Sequence, residues 1–119
     1  MSVDQWTPVM IEERIKRIAD RIAKSVEICD ERLRARQKAE RDYEQVYARA
    51  YMAHDGPQTE KRYAAVIASA DEKERFDVAD AAFRYADRLA KALDSELDAV
   101  RSIGVSVRQA YSTAGRWEP

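Results

Sequence analysis

Few residues in this chain of 119 have the types and spacings that chemistry needs. The single histidine, His54, lacks the Glu-x-x-His spacing of di-metal sites in helical bundles, because Tyr51 occupies the position where the carboxylate would stand. With no histidine near it, the lone Cys29 reads as a small core residue and not as an activated nucleophile. Carboxylates are abundant, but at Glu13 and Arg17, Asp87 and Lys91, and around Glu27 and Arg34 they alternate with basic residues as solvated helix faces do. The chain contains no phosphate-cradling glycine loop, no Cys/His metal cluster and no nucleophile elbow. No catalytic residue, metal ligand or cofactor is expected, and the reading is of a protein that is not an enzyme.

Two groups of side chains are suited to binding instead. Tyr43, Tyr47 and Tyr51 recur at steps of four and are expected to be joined by Tyr63, a set that either closes the end of an ordinary hairpin or anchors a partner. Farther along, Arg101, Arg108 and Arg116 interleave with Tyr111 and Trp117. Arginine with aromatics is the vocabulary of single-strand nucleic-acid contact, of a peptide docking on a protein, or of a short third helix (106–113) folding back.

These residues must be positioned by helices. Neither glycine nor proline occurs between Pro8 and Gly56, nor between Gln58 and Gly104, and helix interiors exclude both. Thr7 is a favoured N-cap with Pro8 at the first helical position, and Trp6 and Ile11 have the spacing of a hydrophobic staple. Ile11, Ile15, Ile18 and Ile22 set an apolar stripe, expected to continue as Val26, Cys29 and Leu33 after an extra step of four. It thins to Ala35 and Ala39 within a charged stretch and recovers at Tyr43, Val46, Tyr47, Ala50 and Tyr51. A helix over about 8–53 would be about 69 Å long.

Asp55-Gly56-Pro57 is the turn (54–58). The return, 59–103, would start at a Thr59 cap with Tyr63, Val66, Ile67 and Ala70 as its apolar face, then continue through Phe76, Ala79, Phe83, Ala86, Ala90, Leu93, Leu97 and Val100. Ser69-Ala70-Asp71-Glu72 fits a capping box, so the return is either one helix or two with a kink near 68–71. Ser102 and Gly104 are expected to end it and leave a tail, 104–119. Charge supports the fold-back: residues 32–41 carry five basic side chains against one acid, and residues 71–80 carry five acids against two bases. Facing those blocks sets Cys29 against Phe83, Ile22 against Ala90 and Ile15 against Leu97. The expected architecture is therefore an all-α, antiparallel, coiled-coil-like two-helix hairpin forming one domain, 1–119.

Composition sets the outer bounds. The net charge of −1, from 21 basic and 22 acidic residues, implies no bulk attraction to nucleic acid or to an anionic membrane. With no apolar run long enough to span a bilayer, no signal-peptide pattern at Met1–Trp6 and one cysteine, a cytoplasmic protein is the economical inference. Val9 and Ile28 on the first helix and Val78, Leu89 and Ala92 on the return lie off the main stripes. A second copy completing a four-helix bundle, or a partner helix, would cover them.

The Tyr-rich end of the first helix, the Gly-Pro turn, the run from Asp80 to Leu89 and the stretch from Leu97 to Arg108 together resemble small helical proteins encoded by bacteriophages of GC-rich hosts, often near replication and recombination genes. That resemblance implies a phage accessory role in the host cytoplasm and assigns no residues. The expected function is a non-enzymatic protein-interaction or scaffold module, homodimeric and acting on a host or phage protein. The alternative is a nucleic-acid-binding accessory factor using Arg32, Arg36, Arg101, Arg108 and Arg116.

Overall fold

The structure, a computed structural model, describes residues 5–116, apart from the side chains of 115 and 116. Three helices follow in order: α1 (Pro8–Ala53), α2 (Gln58–Ala68) and α3 (Ala70–Arg116). Among the described residues there is no strand. The fold is an all-α helical hairpin with its return divided in two, and the chain forms two compact units, residues 1–26 with 88–119 and residues 27–87.

In the first unit, α1 starts as its sequence dictates. The Thr7 hydroxyl accepts a hydrogen bond from the Met10 N–H at 3.2 Å, and the Thr7 carbonyl accepts from Ile11 at 3.1 Å. Trp6 packs against a cluster of Ile11, Ile18, Val100 and Val107, joined by Ile15, Ile22, Leu97 and Ile103. The inward row of α1 runs Ile11, Ile15, Ile18, Ile22, Ser25. Val26, expected on that stripe, is exposed. Ser25 takes the inward position because its hydroxyl donates to the Ile22 carbonyl at 2.7 Å, which removes the penalty of turning a polar group inward. Alternating steps of three and four therefore continue to Cys29, and the extra step of four falls between Cys29 and Leu33.

Opposite this row, α3 turns Ala90, Leu93, Leu97, Val100, Gly104 and Val107 inward. Gly104 does not end the helix as expected; α3 continues to Arg116, so the separate tail is absent over the described residues. Its lack of a side chain serves packing. A Cβ built on Gly104 would lie 3.0 Å from Ile11 Cγ2, so any side chain here requires Ile11 to give way. Arg14 meets Glu96 at 3.0 Å while Ile11 meets Gly104, so the two segments run antiparallel.

In the second unit, α1 ends at Ala53 and the chain turns at Gly56, whose φ of 150° few residues with a Cβ adopt. Pro57, extended at φ −61° and ψ 157°, is the N-cap of α2, so Thr59 lies inside the helix and not at its cap. The expected apolar face of α2 is also corrected. Ala65 is fully buried and Lys61 and Ala64 half-buried, while Tyr63, Val66, Ile67 and Ala70 face solvent. Small side chains let α2 approach its neighbours closely, so the contact selects the alanine face over the bulkier one.

The break in the return lies where the sequence suggested, at Ser69, with φ −104° and ψ 12°. Its hydroxyl, however, donates back to the Ala65 carbonyl at 2.7 Å and forms no capping box with Glu72. Helical bonding resumes immediately, with the Lys73 N–H donating to the Ser69 carbonyl at 2.9 Å. A buried serine bonding four residues back bends a helix without ending it.

The Gly104 contact makes a direct prediction. Gly104→Leu should lower stability by about 1–3 kcal/mol, as overpacked sites do. Ser102→Leu, at an exposed position of the same helix, should stay within about 0.5 kcal/mol. Urea unfolding followed by circular dichroism of the two variants measures the difference.

Candidate interaction surfaces

The expected tyrosine group forms in part. Tyr43 and Tyr47 meet edge to face with ring centroids 6.1 Å apart, and Tyr47 stacks on Tyr51 at 6.3 Å. The residue from α3 that joins them is Phe76, stacked on Tyr43 at 6.3 Å. Tyr63 does not join, because α2 turns it outward, where it carries only the neighbouring Arg62 guanidinium at 5.8 Å. Lys61 sits 5.8 Å above the Tyr51 ring, and Lys73 sits 5.4 and 5.2 Å from the rings of Tyr43 and Phe76. Tyr43, Tyr47 and Tyr51 are half-buried, Tyr43 and Tyr51 under a lysine each, whereas Tyr63 is exposed.

The sequence placed Arg36 in the basic block that faces the acidic one and among the candidate nucleic-acid contacts, but not on the inward stripe. Arg36 is the inward residue there, whereas Ala35, expected on the stripe, is exposed. The Arg36 guanidinium lies 6.0 Å from the Phe76 ring and 5.9 Å from the Phe83 ring and donates to Asp80 at 2.7 Å. The other Asp80 oxygen accepts from Arg84 at 3.0 Å. An arginine spends its flat, weakly hydrated face on aromatics while its edge pairs with a carboxylate, so it fills a seam that a lysine would fill poorly. Asp80 was visible in sequence as a member of the acidic block facing the basic one; the aromatic sandwich was not. Arg36 is thereby engaged within the second unit.

Other ion pairs line the exposed faces. Arg34 pairs with Asp30 one turn away at 3.2 Å, in preference to Glu27 two turns away. The Lys38 ammonium donates to Asp42 at 2.9 Å and holds that carboxyl below the ordinary carboxylate range. At the turn, His54 lies 3.7 Å from Glu60, a contact the sequence did not suggest. Among the described residues no group of three or more His, Cys, Asp or Glu is placed to hold a metal ion, and no helix is long and apolar enough to cross a membrane.

Arg101 and Arg108 come together. With Glu12, they border a groove of about 400 Å³ in the first unit, lined by Ile11, Ile15, Gly104 and Val105. Arg108 Nε donates to the Gly104 carbonyl at 3.4 Å. Tyr111 is exposed on the same helix, and Arg116 ends α3 with its side chain outside the description. Trp117 lies outside the described residues. The chain matches no family model, no curated protein and no solved structure.

The Arg36 site is testable by a double-mutant cycle. Arg36→Ala should destabilise by roughly 1–3 kcal/mol, and Asp80→Ala by a similar amount for the partner it orphans. The pair should show a coupling of about 1 kcal/mol, read from the urea midpoints of the two single variants and the double variant.

Proposed function

We propose that this chain is a non-enzymatic protein-interaction module and that the outward face of α2 is its principal contact surface. The supporting observation is the exposure of three large apolar side chains on a helix of 11 residues: Tyr63 at 60%, Val66 at 52% and Ile67 at 77%. They stand at i, i+3 and i+4, the spacing with which an amphipathic helix fills a groove in another protein. A short helix ordinarily turns such residues inward; here Ala65 and Ser69 hold the inner side.

The surface as a whole agrees with this reading. The chain leaves 9180 Å² in contact with solvent, whereas a compact monomer of 13.7 kDa leaves about 6600 Å². The occupant that fits α2 is a protein with an apolar groove, since Tyr63, Val66 and Ile67 present mainly apolar surface. Nucleic-acid binding has the exposed Arg101 and Arg108 in its favour, but they share their groove with the Glu12 carboxylate.

The test compares the full chain with its Ile67→Asp variant for capture of proteins from a host lysate, followed by titration of the captured protein in purified form. Loss of one central apolar anchor should weaken that complex at least tenfold. Equal retention of every protein by both chains would sink the reading. Steeply salt-dependent DNA binding, abolished by replacing Arg101 and Arg108 with alanine, would favour the nucleic-acid alternative.

A further inference from the structure

The second unit has another unfilled surface, away from the residues assigned above. A groove of about 360 Å³ runs between α1 and α3, lined by Arg32 and Ala35 on one wall and by Glu74, Arg75, Val78, Ala79 and Ala82 on the other. Its apolar character extends along both helices. Ile28 precedes Arg32 by one turn on α1, and Tyr85 follows Ala82 by one turn on α3. Ile28 is 43% exposed, Val78 65% and Tyr85 61%. Val78, Ala82 and Tyr85 follow steps of four and three, as do Ile28, Arg32 and Ala35, so each wall carries the repeat by which helices pack side by side.

Charge identifies the occupant. Of the three charged residues that line this groove, Arg75 is paired within the chain, to Glu72 at 3.2 Å. Arg32 and Glu74 lie on opposite walls and have no ion-pair partner among the described residues. A two-fold interface sets each residue of one copy against the complementary residue of the other, so the unpaired cation and the unpaired anion of this lining produce two ion pairs when the groove meets itself. A foreign partner would not require the face to be its own complement.

We propose that this groove is a homodimer interface, in which two copies complete a four-helix bundle through Ile28, Val78 and Tyr85, with Arg32 of each copy paired to Glu74 of the other. The interface is separate from the α2 face, so a second copy and a protein partner occupy different surfaces.

Sedimentation equilibrium on the full chain provides the test. Wild type should be dimeric at tens of micromolar. Arg32→Glu and Glu74→Arg, each alone, should raise the dimer dissociation constant about tenfold, because both symmetry-related pairs turn from attraction to repulsion. An equimolar mixture of those two variants should recover the dimer, since one chain then carries only acids and the other only bases at the paired positions; recovery also shows that both variants fold. Ala82→Arg should give a monomer of unchanged helix content. A monomeric wild type, or a dimer indifferent to both charge exchanges and to Ala82→Arg, would overturn the proposal. Ile67→Asp should remain dimeric, so failure of the α2 reading and failure of this one give different results.

Discussion

Every feature of this protein depends on how closely its two long helices can approach. Two helices have no third layer to hide a misfit, so each inward position must be small enough, flat enough or internally bonded enough to lie in a narrow seam. The first unit meets this requirement with Gly104 against Ile11 and with a ring of isoleucine, leucine and valine. The second unit has fewer aliphatic residues and meets it with the faces of rings and guanidinium groups. The same constraint rotates α2 so that Ala65 and Ser69 face inward.

Polar residues inside such a seam are tolerated where they carry their own partner. Ser25 and Ser69 each return a hydrogen to a carbonyl within one turn of their own helix, and Arg36 is satisfied by Asp80 across the seam. Burying any of them unpaired would remove a large share of the few kcal/mol that hold a domain of this size together. Their cost in solvation is offset because each polar group keeps a hydrogen-bond partner inside the seam.

A seam this narrow leaves most of each helix outside it. The consequence is a molecule with exposed apolar side chains, among them those on the outward side of α2 and beside the groove lined by Ala79 and Ala82. Exposed apolar faces of this kind follow from the geometry of paired helices alone.

From the sequence alone, the helical class, the corner at Gly56, the start of α1 at Thr7 and the break at Ser69 were legible, because each follows from local backbone chemistry that neighbouring residues impose. So was the facing of the basic and acidic blocks, which Arg36 and Asp80 realise. Only the tertiary structure decided which face of each helix turns inward where apolar size and packing fit disagree: Ser25 over Val26, Arg36 over Ala35, Ala65 over Tyr63 and Ile67. It also decided that Gly104 is a contact and not a stop. Those choices depend on the width of the gap opposite each residue, and that width is a property of two helices together, which no single stretch of chain contains.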